Sequence, residues 1–471
     1  MPFAVYVLGL AVFAQGTSEF MLSGLLSGIA ADLDVSLSAA GLLTSAFAVG
    51  MVVGAPLMAL FSRAWPRRRA LLLFLAVFVA VHAVGALTSS YGVLLATRFV
   101  GALANAGFWA VALSTAVAMA PDRLKGRAAA VVVGGVTIAC VVGVPAGAVL
   151  GENWGWRSAF WAVAIVSLPA FVAVLRAIPG DRGGRPWRDC AEGDAAVVPG
   201  PASGSVPGSA SGSVCGAASG SVPGPVPASV PGPALVSVRD ELRVLTGPRL
   251  RPVLLTMALV QGATFCTFSY LEPLLTRETG LGAGWVPAAL ALFGAGAFAG
   301  VTLAGRYADA RPLAVVATGM AGLTAGWSAL ALTAGIPVLA LALVPLLGLL
   351  AFGTGTALIT RVLSLAPGAP TLAGAFSTAA FNLGATLGPW AGGLALDAGF
   401  GYRAPVGVSA ALMALALLVA ATTAKSRRSR AGERRLSAVN RCARGRRRSP
   451  GERPGTRLVN QRTRTAPVGR S

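Results

Sequence analysis

The chain is predicted to be an all-α polytopic membrane protein with 12 transmembrane helices in two six-helix, pseudo-symmetric halves. Three observations carry this: 12 apolar stretches each long enough to cross about 30 Å of hydrocarbon, a Pro/Gly/Ser-rich segment after the sixth, and signatures that recur in both groups. Composition agrees, because only 12% of the 471 residues are charged and 55% are hydrophobic. Soluble domains carry about a quarter charged residues, so lipid is the main solvent of this chain.

In order, the spans fall at residues 4–29, 39–61, 70–88, 92–119, 128–150 and 158–178, then 252–275, 285–305, 312–333, 337–360, 371–396 and 404–423. The first starts almost at Met1 and is long enough to span, so it is read as a retained helix rather than a cleaved signal peptide. This divides the chain into an N-terminal six-helix bundle (1–178), a cytoplasmic linker (179–251), a C-terminal six-helix bundle (252–424) and a basic cytoplasmic tail (425–471). In the linker Ser-Gly-Ser-Val-Pro-Gly at 203–208 returns at an eight-residue period, and such a composition is expected to form a flexible tether.

The net charge of +21 does not point to nucleic acid, because the tail after Ala424 holds 16 Lys or Arg against Glu433 and Glu452. That leaves +7 on the rest, and a tail that is disordered and solvated. Within the body the cations gather in alternate loops: Arg63 and Arg67 to Arg69, Arg123 to Arg127, Arg176 to Arg188, Arg239 to Arg251, Arg306, Arg311 and Arg361. The intervening loops hold Asp32, Asp34, Glu152, Glu278 and Asp397. By the positive-inside rule both termini are cytoplasmic. The five scattered cysteines form no CxxC pair, so no metal site or disulfide framework is indicated. His82, the sole histidine, is read as a packed residue rather than a proton relay.

The halves echo each other. Gly135, Ala139, Gly143, Gly147 and Gly151 recur every four residues around Pro145 on the fifth span, and Ala380, Gly384, Gly388 and Gly392 do so around Pro389 on the eleventh. Each stripe is followed by glycine, aromatic, arginine: Gly155-Trp156-Arg157 and Gly401-Tyr402-Arg403. Small residues one turn apart let helices approach closely, so Gly143, Pro145, Gly147, Gly388, Pro389 and Gly392 are expected to form a rocking interface.

With these stripes, and with QGTSEFMLSGLL (15–26) and TRFVGALANAGFWAVAL (97–113), the chain resembles the major facilitator superfamily, in the twelve-helix drug:proton antiporter branch. It is similar to the chloramphenicol-exporting proteins of actinomycetes. The resemblance implies the major facilitator fold in a bacterial plasma membrane and proton-driven efflux of chloramphenicol or a similar small amphipathic antibiotic by alternating access. It implies no cofactor beyond the proton motive force, no enzymatic activity and a monomer. A sugar or nucleoside exporter of the same superfamily, or a passive channel, is the alternative. The family's loop pattern between helices 2 and 3 is degenerate here: ALFSRAWPRRR (59–69) keeps Arg67 and Arg68 but lacks the acid, whereas the matching loop of the second half keeps Asp309.

Glu19 lies deep in the first span, where burial favours the neutral acid, and Gln15, Glu19, Ser23 and Ser27 form one polar stripe. Glu19 is therefore the expected proton carrier. Arg98 on the fourth span, with Gly101 and Asn105 on its face, resembles the family's helix 4 arginine and is expected to pair with Glu19. The competing reading makes Arg98 a snorkelling anchor. The drug cavity is expected to be lined by Gln15, Asn105, Phe108, Trp109, Gln261, Phe265, Phe268, Tyr270, Phe381 and Asn382, aromatic walls with a few polar groups. Glu272 is read as an interfacial charge near the end of the seventh span.

Overall fold

The computed structural model describes residues 2–61, 65–121, 124–178, 250–307, 312–365 and 370–423. Asp309, nearly all of the linker and the tail lie outside the described residues, and with them the expectations placed there. Eleven helices are long and apolar enough to cross a membrane, and Pro370–Asp397 is a further helix of 28 residues. Among the described residues no strand is present.

Helix α1 comprises Phe3–Phe20, a 3-10 turn at Met21–Gly24 and a last segment Leu26–Asp32. Then come α2 (Leu37–Phe61), α3 (Arg67–Leu87) and α4 (Tyr91–Met119). Helix α5 runs from Lys125 to Trp154 with a π turn at Ala139–Gly143, and α6 is Trp156–Ala177. Helix α7 comprises Arg251–Ser269, Leu271–Pro273 and a π turn at Leu274–Glu278. The set closes with α8 (Val286–Tyr307), α9 (Pro312–Thr333), α10 (Pro337–Leu365), α11 (Pro370–Asp397) and α12 (Ala404–Thr423). The described residues up to 419 form one compact unit; of the second unit, 420–471, only the helical residues 420–423 are described.

The helices are apolar nearly all round, so packing depends on shape, and glycine supplies the close approaches. A methyl group at Gly135 would lie 2.5 Å from the Gly9 carbonyl oxygen, one at Gly143 would overlap Thr17, and one at Gly147 would lie 3.3 Å from Met21. In the second half, methyl groups at Gly384 and Gly388 would overlap the carbonyls of Ala258 and Gly262. The glycine stripes therefore clamp α5 to α1 and α11 to α7. This corrects the expected face: these glycines close contacts inside each six-helix group, where close backbone approach is needed, and do not themselves meet the opposite group. The contacts between groups lie elsewhere on the same helices, at Cys140 and Val141 of α5 against Gly294 of α8, and where Ser45 Oγ of α2 donates to the Thr386 carbonyl of α11 at 2.8 Å.

The repeated glycine-aromatic-arginine sequence has one geometry in both places. Gly155 (φ 79°) and Gly401 (φ 77°) adopt the left-handed backbone that glycine permits without strain. Two residues on, Arg157 pairs with Asp32 at the end of α1, and Arg403 Nε donates to Glu278 Oε1 at the end of α7 at 2.6 Å. Among the described residues, every acid but Glu19 lies near this end of the bundle: Asp32, Asp34, Glu152, Glu272, Glu278 and Asp397. Arg67 to Arg69, Lys125, Arg127, Arg176, Arg251, Arg306 and Arg361 lie toward the other.

Candidate functional site

The buried charge of the bundle gathers where α1, α3 and α4 meet. Arg98 stands in the second turn of α4 yet is only 2% exposed. Its Nη1 donates to Ser18 Oγ and its Nη2 to the Ser18 carbonyl, both at 2.9 Å, while the guanidinium lies 4.5 Å from the centroid of the Phe47 ring of α2. A snorkelling anchor would reach for the interface; this arginine points inward. Ser18 Oγ in turn is 2.6 Å from His82 Nε2, and His82 Nδ1 is 2.7 Å from the Phe78 carbonyl. A carbonyl only accepts, so Nδ1 carries the proton and, in a neutral ring, Nε2 accepts from the Ser18 hydroxyl. This assigns the tautomer from hydrogen-bond chemistry.

Glu19 is half-buried and adjoins Ser18, the residue on which Arg98 rests. Among the described residues the ion pairs are Arg157–Asp32 and Arg403–Glu278, so the expected Glu19–Arg98 pair is unmade in this conformation. One turn back on α1, Gln15 is fully buried with neither amide atom partnered. On α4, Asn105 donates through Nδ2 to Met51 Sδ at 3.6 Å but leaves Oδ1 without a partner, as Arg98 leaves Nε. Each such group costs about 1–3 kcal/mol unless something polar meets it. Gln15, Arg98 and Asn105 are therefore three buried side chains with unspent hydrogen-bonding capacity.

Opposite stands an aromatic cluster. Phe265 and Phe268 of α7 meet Phe20 of α1 at ring-centroid distances of 5.7 and 6.1 Å, Phe381 of α11 meets Phe265 at 5.8 Å, and Phe293 of α8 meets Phe268 at 4.8 Å. Gln261 is buried one turn below Phe265, and Asn382 donates to the Thr378 carbonyl at 2.9 Å. Three expected cavity residues stand elsewhere. Phe108 is fully buried in the core shared by α1, α3, α4, α5 and α6, and Trp109 packs partly buried against that core, which also holds Phe74 and lies within the first group. Tyr270 is a strut, its hydroxyl donating to the Pro389 carbonyl at 2.9 Å and filling the space left by Gly41 of α2.

Glu272 is more than an interfacial charge. Its Oε2 accepts from the Ser27 hydroxyl at 2.6 Å and the Ser27 N–H at 3.2 Å, tying α7 to the last segment of α1. The 3-10 turn before that segment frees the N–H, as expected at a helix start. Arg68, expected in a loop motif, donates to the Leu175 carbonyl of α6 at 2.6 Å. Among the described residues no three His, Cys, Asp or Glu side chains come together as a metal site.

A family model described as Major Facilitator Superfamily matches residues 8–379 and, overlapping, 253–455. The chain belongs to the major facilitator superfamily. It is 48% identical over 420 residues to the chloramphenicol resistance protein of Streptomyces lividans, covering 89% of this chain and 96% of that one. It is 30% identical to the inner membrane transport protein YdhP of Escherichia coli K12, covering 90% and 96%. Among solved structures, a bacterial homologue of the human lysosomal transporter Spinster, in an inward-facing, occupied conformation, matches with a TM-score of 0.67 at 15% identity over 90% of this chain and 96% of that one. That likeness speaks to the fold.

In this superfamily member, sequence reasoning missed Ser18, Phe20, Phe47 and Phe293, whereas His82 is packed as read, buried against Phe78 and Phe160. Ser18 adjoins Glu19 off the polar stripe, and its partners lie 64 and 80 residues away. Only the lone histidine in an apolar span offered a signal for this network.

Proposed function

We propose that this multi-pass membrane protein exports chloramphenicol or a similar small amphipathic antibiotic across a bacterial plasma membrane in exchange for protons. The carrying observation is a half-buried carboxylate, Glu19, next in sequence to the serine that seats Arg98 on neutral acceptors, with Gln15 and Asn105 buried and unpartnered on the same two helices. In this conformation no ion pair among the described residues holds that carboxylate, so it is free to carry a proton. The aromatic cluster and the unpartnered polar groups suit an uncharged, moderately polar drug, and the similarity to the Streptomyces protein favours chloramphenicol.

Charge segregation supports cytoplasmic termini: the basic end faces in and the acidic end out. The ties Ser27–Glu272, Ser38–Asp397 and Ser45–Thr386 then lie toward the outer side and fit a carrier shut there. Outward-open, Glu19 takes a proton and drug leaves; inward-open, the proton departs and drug binds, so each ligand biases one two-state motion. The protein works as a monomer without a cofactor. If one proton moves per neutral drug, about 2.3 kcal/mol per 100 mV sustains a gradient of roughly fifty-fold.

The test is chloramphenicol uptake into inverted vesicles with an imposed proton gradient. Accumulation should collapse with a protonophore; uphill uptake indifferent to the gradient would overturn the mechanism, and uptake of sugars in place of drug would overturn the substrate.

A further inference from the structure

The Arg98 seat is built entirely of neutral groups: the Ser18 hydroxyl, the Ser18 carbonyl and the face of Phe47. Ser18 can receive the guanidinium in this way because its hydroxyl proton is committed elsewhere, to His82 Nε2 at 2.6 Å. His82 is itself oriented by the Phe78 carbonyl at 2.7 Å, and its ring is buried between Phe78 and Phe160, with centroids at 4.2 and 5.8 Å. Three helices thus converge on one hydroxyl group, and its direction is set by α3.

We propose that Ser18 and His82 form a neutral seat that holds the Arg98 guanidinium away from Glu19, making His82 a positioning residue for proton-coupled transport. The inference rests on the antiport reading above and adds the element that keeps it reversible. A buried ion pair is costly to break by removing one partner, so an arginine locked onto Glu19 would hold the carrier in one state. A second seat one residue along α1 offers comparable hydrogen bonds without a countercharge. Arg98 then has two places to rest: on Ser18 when Glu19 is protonated, on Glu19 when it is ionised. The unpartnered Nε is the donor left over in the first seat. His82 touches neither drug nor proton carrier. It works by turning the Ser18 lone pairs toward α4.

Side-chain length makes the test sharp. In His82→Gln an amide acceptor replaces Nε2 at nearly the same reach, whereas in His82→Asn the amide ends where Nδ1 was and falls short of Ser18. With the full chain in vesicles and chloramphenicol as probe, His82→Gln should keep proton-driven transport within about threefold of the parent, while His82→Asn and Ser18→Ala should lose about tenfold or more in maximal rate with KM little changed. Equilibrium drug binding should survive in all three. Equal proton-driven rates for the Gln and Asn variants would overturn the proposal.

Because His82 is the only histidine, imidazole nitrogen resonances of selectively labelled protein carrying no histidine tag report on it alone. The Nδ1–H tautomer, with Nε2 perturbed by Ser18→Ala, is the expected spectrum. An Nε2–H tautomer would sink the seat outright, even where a variant fails to fold. Transport indifferent to protons in the parent would instead sink the antiport reading, and the spectrum would still decide the seat.

Discussion

The first and second six-helix groups share their mechanics and differ in their chemistry. Each clamps its fifth helix to its first through glycines, and each ends that clamp with a left-handed glycine and an arginine that reaches the acid closing the first helix. At the matching depth, though, α1 carries Gln15, Ser18 and Glu19 beside Arg98, while α7 carries Gln261, Phe265 and Phe268 beside Phe381. Duplicated scaffolding thus holds a charged site on one side and an aromatic wall on the other. On the proposed function, the halves move alike while only the first responds to protons.

The largest expected effect separates those sides. Glu19→Gln should abolish uphill drug transport while equilibrium drug binding survives; Phe265→Ala should do the reverse, weakening binding by about tenfold, 1.4 kcal/mol, with proton-driven exchange retained at saturating drug. Loss of binding in both variants would mean that the chemistry is not divided this way. Next comes the core. Phe108→Ala should cost about 3–5 kcal/mol of stability, read as lost thermal midpoint, without a specific loss of drug affinity in the protein that folds.

The clamps provide a finer comparison. A methyl group at Gly388 meets the backbone carbonyl of Gly262, which cannot rotate away, whereas one at Gly143 meets the side chain of Thr17, which can. Gly388→Ala should therefore destabilise by about 2–3 kcal/mol and Gly143→Ala by about 1 kcal/mol, measured by thermal unfolding in detergent. Equal costs would show that backbone relaxation erases the difference. The smallest effects belong to the paired arginines. With side chains 34% and 45% exposed, Arg157→Ala and Arg403→Ala should each change stability by about 1 kcal/mol or less, and alike.

Much of this was legible in sequence because membrane helices must satisfy their own backbone, which ties apolar length to span directly. Glu19, the glycine stripes and the Gly-x-Arg repeats could be located by spacing, and Arg98 by the family resemblance. The direction each residue faces was harder to read. Phe108 and Phe265 are both aromatics in apolar helices, yet one is core and the other meets α1 across the bundle, because hydropathy does not distinguish a lipid, core or interface face. The 3-10 turn in α1 and the π turns in α5 and α7 also left no periodic trace, though the π turn at Ala139–Gly143 directly precedes Pro145. Proline's missing N–H makes such a wider turn tolerable.

Chain order alone determined the number and length of the helices, their alternate charge and the repetition of the clamp, since these follow from hydrocarbon thickness and local spacing. Tertiary structure alone decided that Arg98 rests on Ser18 rather than Glu19, that His82 directs that serine, and that Glu272 ties α7 to α1. Hydrogen bonds between helices depend on rotation and tilt, which a nearly uniform apolar surface leaves unspecified until the helices pack.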